Sequence, residues 1–236
     1  MEVLGDLVGR DRRAEAPALR VPAAGRTYDY RRFCTTAWKA GNFLRQVGVS
    51  RGATVAVADD RAPEAILTLY GAACVGGVVR FDAESDWADP PRALVIPPDG
   101  LGADAIAPPT TPVVYGDPSA DPTVACFGRD VWSQNPTVPP EDVDPANGLL
   151  ETDRQVYTHR EVLDAAAGIV DGHGVDADTA VTVDPDASLA NPGIVVAGLV
   201  APILAGGTVT IGSAADGDLV VGPEADLDPA AVLGGP

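Results

Sequence analysis

Residues 26–81 read RTYDYRRFCTTAWKAGNFLRQVGVSRGATVAVADDRAPEAILTLYGAACVGGVVRF, and the spacing of their apolar positions sets the fold class. Phe33, Ala37, Ala40, Leu44 and Val47 recur at three- and four-residue steps, which predicts a helix from Tyr30 to Val47 that stops at Gly48. GVSRGATVAVA then supplies a turn and a short β-rich run. Pro63, suited to a first helical turn, opens a second helix that ends at Gly76-Gly77, and VVRF follows as a strand.

The same order returns in the second half. Thr158 and Glu161 make a T-x-x-E capping box, the Thr hydroxyl accepting from the Glu amide while the Glu side chain reaches back. Val162, Leu163, Ala166, Ile169 and Val170 line one side of the helix that follows, which ends near Gly174. GVDADTAVTV matches GVSRGATVAV, Asn191-Pro192 caps the next helix, Gly206-Gly207 ends it, and TVTI matches VVRF. Between the repeats lie three candidate strands, ALVI, PVVY and VACF, in loops rich in Pro, Asp and Gly, and Pro136–Gly148 reads as an exposed linker.

Helices alternating with short apolar strands predict an α/β fold, with helices layered around sheets. The expectation is a single domain over 1–236 containing two similar helix–strand–helix–strand units, about 26–81 and 156–212, each needed to cover the other's sheet. The uncharged run from Gly193 to Ile211 is interrupted by Pro202 and the glycine pair and lacks flanking cations, so it reads as a buried helix and a buried strand rather than a membrane span.

Asp and Glu number 34 against 16 Lys and Arg, a formal charge of −18 spread along the chain. Nucleic acid is a poor partner for such a surface, because phosphate backbones need clustered cations. Lys39 is the only lysine, and Asp far outnumbers Glu, a pattern expected of a halophilic protein in a salt-rich cytoplasm. At molar salt the Debye length falls to roughly 3 Å and the acidic surface is screened. The amino terminus lacks the basic start and apolar core of a signal peptide, so a cytoplasmic location is expected. Cys34, Cys74 and Cys126 are far apart, with no CxxC, and read as buried thiols rather than a metal site.

The two repeats carry a resemblance. The first, from Arg26 to Phe81, resembles the amino-terminal part of the adenylate-forming (AMP-binding) superfamily of acyl- and aryl-CoA synthetases, in its Thr-Tyr pair, helix, Gly-Val, Val-rich strand, helix and glycine pair. The second matches from VYTHREVLDAA to AGLVAPILAGGTVTIG, so the resemblance covers most of the chain. It implies ancestry among enzymes that activate a carboxylate with ATP and pass the acyl group to a thiol. Their Thr/Ser/Gly-rich phosphate loop closes in Pro-Lys-Gly just before the Thr-His-Arg helix, where glycines let amides approach phosphate and lysine adds positive charge.

At that position this chain has ETDRQV, residues 151–156. Glu151 and Asp153 would set two carboxylates where a triphosphate lies, with Thr152 between them and Arg154 placed to offset one charge. Lys39, the one lysine, falls inside the first predicted helix and reads as a solvated face residue. The resemblance therefore implies a degenerate, truncated ligase homologue without the carboxy-terminal lid domain. Such a pseudoenzyme would not adenylate, and would act by binding a protein partner, itself, or a small acyl or nucleotide ligand. The alternative is a divergent or split acid–thiol ligase with residual activity. No catalytic residue, metal or cofactor is expected; ATP, AMP and magnesium enter only if the family's activity survives.

Smaller candidates have plain readings. His159 packs at a helix entry, and His173 sits at a helix end beside terminal carbonyls. Ser188 lacks a G-x-S-x-G context, and the pairs Asp59-Asp60 and Asp184 with Asp186 arise from composition.

Overall fold

Pro17–Val21 (β1) and Arg26–Asp29 (β2) pair antiparallel ahead of the first helix, joined by a turn in which Gly25 holds a φ of 61°. The structure, a computed structural model, describes residues 1–83, 87, 89–101, 108–212, 217–223, 225–227 and 232–233. Helix α1, Tyr30–Gln46, starts where Asp29 accepts from the Arg32 amide at 2.6 Å. β3 (Thr54–Val57), α2 (Pro63–Ala73, with Pro63 in its first turn) and β4 (Val78–Arg80) complete the first repeat as the apolar spacing predicts.

β5 (Ala93–Ile96) and β6 (Thr111–Val114) follow as parallel strands, and β7 is only Ala125–Cys126 because the chain turns at once into α3, Phe127–Trp132. The second repeat opens with an unforeseen hairpin of β8 (Gly148–Glu151) and β9 (Val156–Thr158), which feeds α4, His159–His173. β10 (Ala180–Val183) comes next. α5 (Pro192–Ile194) then runs through a π-helical turn, Val195–Val200, into α6 (Ala201–Ala205), followed by β11 (Thr208–Ile211) and β12 (Leu219–Val221). The π turn has a local cause. Pro202 has no N–H for the carbonyl four residues back and its ring crowds that carbonyl, so the helix widens and the Ala201 amide donates to Val196 O instead. Among the described residues, no helix is long and apolar enough to cross a membrane.

The strands form a five-stranded sheet, β12-β10-β11-β1-β2, and a seven-stranded sheet, β7-β6-β5-β3-β4-β8-β9. The first order maps onto part of the second, β5-β3-β4-β8-β9, strand for strand and with the same parallel and antiparallel pairings. The hairpins are exchanged between the repeats. β1-β2 precedes α1 but lies beside β11, and β8-β9 precedes α4 but lies beside β4, so neither repeat completes its sheet alone. α1 packs on β1 and β2 while α2 packs on β3 and β4; α4 packs on β8 and β9 while the run from α5 to α6 packs on β11, β10 and β12. The helices thus bridge the two sheets, and one apolar cluster joins Leu19, Val181 and Val209 to Val55, Val79 and Val95.

Pro136–Gly148 is mostly exposed, as its composition predicts, but it is tethered along its length. Asn42 Nδ2 donates to Thr137 O at 2.8 Å, Arg51 donates to Asp142 O, Pro139 is buried, and the Arg160 and His159 amides donate to Pro145 O and Asn147 O. Carbonyls along this segment take side-chain donors from Asn42 on α1 and from Arg51 and backbone donors from the entry of α4, which ties the crossing down. Lys39 is also not simply solvated: its Nζ donates to Trp132 O at 2.9 Å and lies 5.0 Å from the Trp132 ring centre. The three thiols are free and buried.

Candidate functional site

A cleft of about 630 Å³ opens where β4 ends, between the β8-β9 hairpin and the Ala190–Pro192 stretch of the second repeat. It joins a second hollow of about 420 Å³ that shares Phe81, Asp82 and Ala190 with it. Every residue from Glu151 to Gln155 lines the larger cleft, so the structure brings the sequence-predicted positions together.

Glu151 closes β8 and Val156 opens β9, so Thr152–Gln155 is a tight hairpin turn. The Thr152 amide donates to Gln155 O at 2.9 Å, and the amides of Arg154 and Gln155 both donate to Thr152 Oγ1 at 3.3 Å. Thr152 therefore organises the turn through its hydroxyl, as Ser and Thr do in short loops. Three of the four turn amides are engaged inside the turn. A nest for phosphate needs such amides pointing outward together.

The charge partner of the turn is Arg80, at the end of β4. Its guanidinium lies 3.0 Å from Asp82, 2.5 Å from Asp153 and 3.8 Å from Glu151, and 4.9 Å from the Trp87 ring centre. Glu151 also accepts from Thr54 Oγ1 at 3.0 Å. Burial opposes the charge on Arg80, but the hydrogen bonds it donates to Asp82 and Asp153 outweigh that and raise the pKa above its ordinary value. Arg154, expected to offset a carboxylate, instead points to solvent and makes no ion pair among the described residues. The reason is geometric, since a residue at the tip of a tight turn projects away from the strands that Arg80 rises from. The signal for Arg80 was in VVRF, where one cation ends a strand that is otherwise apolar and buried.

Thr158 and Glu161 occupy the rim, not the cleft. Thr158 caps α4 by accepting from the Glu161 amide at 3.2 Å while Glu161 Oε2 accepts from the Thr158 amide and hydroxyl, each at 2.7 Å. Those bonds, the backbone one first, hold the Glu161 carboxyl below the usual range. Thr158→Ala is expected to cost about 1 kcal/mol of unfolding free energy, measured by denaturant titration. A loss below a few tenths would mean the cap contributes nothing.

His159 lies in the interior, fully buried. Asp59 accepts from Ser188 Oγ at 2.6 Å and the Leu189 amide at 2.7 Å, joining the loops after β3 and β10, and Asp60 accepts from Tyr115 Oη at 2.7 Å, joining the loop after β3 to the end of β6. Asp184 accepts from the Asp186 amide at 2.7 Å, and no metal-binding group of side chains occurs among the described residues.

No family model matches the chain, and no curated protein matches it. Solved structures do. The anthranilate CoA ligase AuaEII, in complex with anthranoyl-AMP, aligns over 88% of this chain and 44% of its own at 17% identity and a TM-score of 0.71. The nonribosomal peptide synthetase FmoA3, in its AMPPNP-bound form, aligns over 89% of this chain and 22% of its own at 19% identity and a TM-score of 0.68. The N-terminal domain of FACL13 from Mycobacterium tuberculosis aligns over 89% and 57% at 18% identity and a TM-score of 0.64. The chain thus has the α/β fold of the amino-terminal domain of adenylate-forming enzymes, and spans about half the length of the ligases it matches, or less.

Proposed function

We propose that this chain is a degenerate relative of the adenylate-forming ligases that does not adenylate and acts by binding a small ligand or a protein partner. The observation that carries the reading is the turn at residues 152–155, three of whose four amides are engaged internally and where the carboxylates of Glu151 and Asp153 converge on Arg80. A triphosphate at this place would meet both carboxylates and a cation that already has them as partners. Each like-charge contact at about 4 Å costs roughly 1 kcal/mol in water and more where water is excluded. His159, the nearest imidazole in sequence, is buried away from the cleft and cannot exchange protons with a bound carboxylate there.

The test is exchange of labelled pyrophosphate into ATP, run in molar potassium chloride with magnesium and a panel of carboxylic acids. No exchange above the protein-free control is expected with any acid, and turnover with one of them would overturn the reading. Calorimetric titration under the same conditions is expected to give no saturable heat with magnesium ATP. AMP and a non-hydrolysable acyl adenylate analogue, which lack the triphosphate, distinguish the small-ligand form of the proposal from the protein-partner form.

A further inference from the structure

The first thirteen residues form a strap over both repeats. Two 3₁₀ turns, Leu4–Val8 and Arg10–Arg12, bury Leu4, Leu7 and Val8 completely. Arg12 donates to the carbonyls of Ile203 and Leu204 at the end of α6, and Arg13 donates to Thr35 on α1 at 3.0 Å. A fourth tie differs in kind, because the Leu4 amide donates to Nδ1 of His159 at 3.0 Å in a fully buried setting.

That bond requires the neutral ring with its proton on Nε2, and Nε2 is buried without a hydrogen-bond partner. An Asn at this place could accept from Leu4 through its Oδ1 and carries no titrating proton, so a titratable group holds a position that a non-titrating one could serve. Three features disfavour the protonated ring: it is out of water, it begins α4 where the helix dipole is positive, and a proton on Nδ1 would face the Leu4 N–H donor to donor. Burial accordingly pulls the imidazole down to about 4. Asp6, on the strap, is the charged group that acts against this, and its carboxylate already accepts from the Glu2 and Val3 amides. Just past the end of α2, the Cys74 thiol is pushed up to about 12 by burial and also feels Asp6, so it stays neutral. On α4, Glu161 faces Thr158 and Arg160 is exposed; no charged group of α1 acts on the ring.

We propose that residues 1–13 are an acid-released strap, with the bond from the Leu4 amide to His159 Nδ1 as its trigger, whose detachment uncovers the apolar surface beneath Leu4, Leu7 and Val8. A ring whose pKa is lowered in the closed state favours closure fully above its ordinary value of 6.5 and progressively less as pH falls toward 4. The proposal does not depend on the function proposed above.

Hydrogen–deuterium exchange on the full chain in molar potassium chloride, corrected for intrinsic rates, tests it. From about pH 7 to about pH 5 the opening of Leu7 and Val8 is expected to rise about 20-fold, while Ile66 and Leu69 in α2 stay protected. His159→Asn is expected to keep the strap closed at both values. Equal protection at both values, an acid response preserved in His159→Asn, or opening of α2 in step with the strap would each overturn the proposal. Should that variant fail to fold, the comparison of strap with α2 in the unmodified chain decides alone.

Discussion

Gly71→Ala is expected to lower the unfolding free energy by about 3 kcal/mol or more, the upper end for inserting a methyl into a packed interior. α1 and α2 cross at Gly41 and Gly71. A methyl on Gly71 would come 2.7 Å from Ala40 Cβ and 2.8 Å from the Gly41 nitrogen, and one on Gly41 would come 2.8 Å from the Gly71 carbonyl oxygen. Backbone atoms cannot rotate aside as a long side chain can, so relief requires the helices to separate. The whole of α2 is buried, and separation would open gaps along it. Gly168→Ala on α4 is the control. A methyl there meets nothing within 4 Å, so the exchange is expected to be neutral or to stabilise by up to about 1 kcal/mol through helix propensity. Equal effects of the two exchanges in denaturant titration would show that the crossing has slack.

Tyr70→Ala is expected to cost about 4 kcal/mol, and Tyr70→Phe about 1–2 kcal/mol. Tyr70 is fully buried, stands edge-on to Phe33 with ring centres 4.9 Å apart, and donates from Oη to Leu199 O at 2.7 Å within the π turn. Burial raises its pKa well above the ordinary value, so it remains a neutral donor. The ring fills the space between α1 and α2, while the hydroxyl joins the first repeat to the second. Removing the ring leaves a cavity; removing only the hydroxyl leaves one buried carbonyl short of a partner. Two unfolding titrations measured side by side separate these contributions. A Phe variant as unstable as the Ala variant would mean that the hydrogen bond, not the packing, dominates.

The two repeats were legible because helix and strand have different apolar periods, and the glycines and Pro63 mark where one period gives way to the other. The capping box at Thr158 was legible for a related reason: its two residues lie within one turn and need no distant partner. β8 and β9 were hidden within GLLETDRQVYT, residues 148–158. The strands are three and four residues long, too short for alternation to show, and the turn between them takes its shape from the Thr152 hydroxyl rather than from glycine. The exposure of Pro136–Gly148 was legible in its composition but its tethering was not, because proline-rich composition sets local stiffness and says nothing about donors arriving from Asn42 and Arg51.

At the candidate site, the chain alone established which residues occupy 151–154 and that none of them is a lysine or glycine. Their charge balance was a matter for the fold, because Arg80 lies seventy-odd positions away in sequence and reaches them only through the parallel pairing of β4 with β8. The exchange of hairpins between the repeats had the same character. Local propensity determines where a hairpin forms, whereas the sheet it joins depends on which edge offers unpaired amides and carbonyls at the right distance. Local rules act over a few residues and can be read in order along the chain. Pairing between distant strands depends on their positions in space, which only the tertiary structure decides.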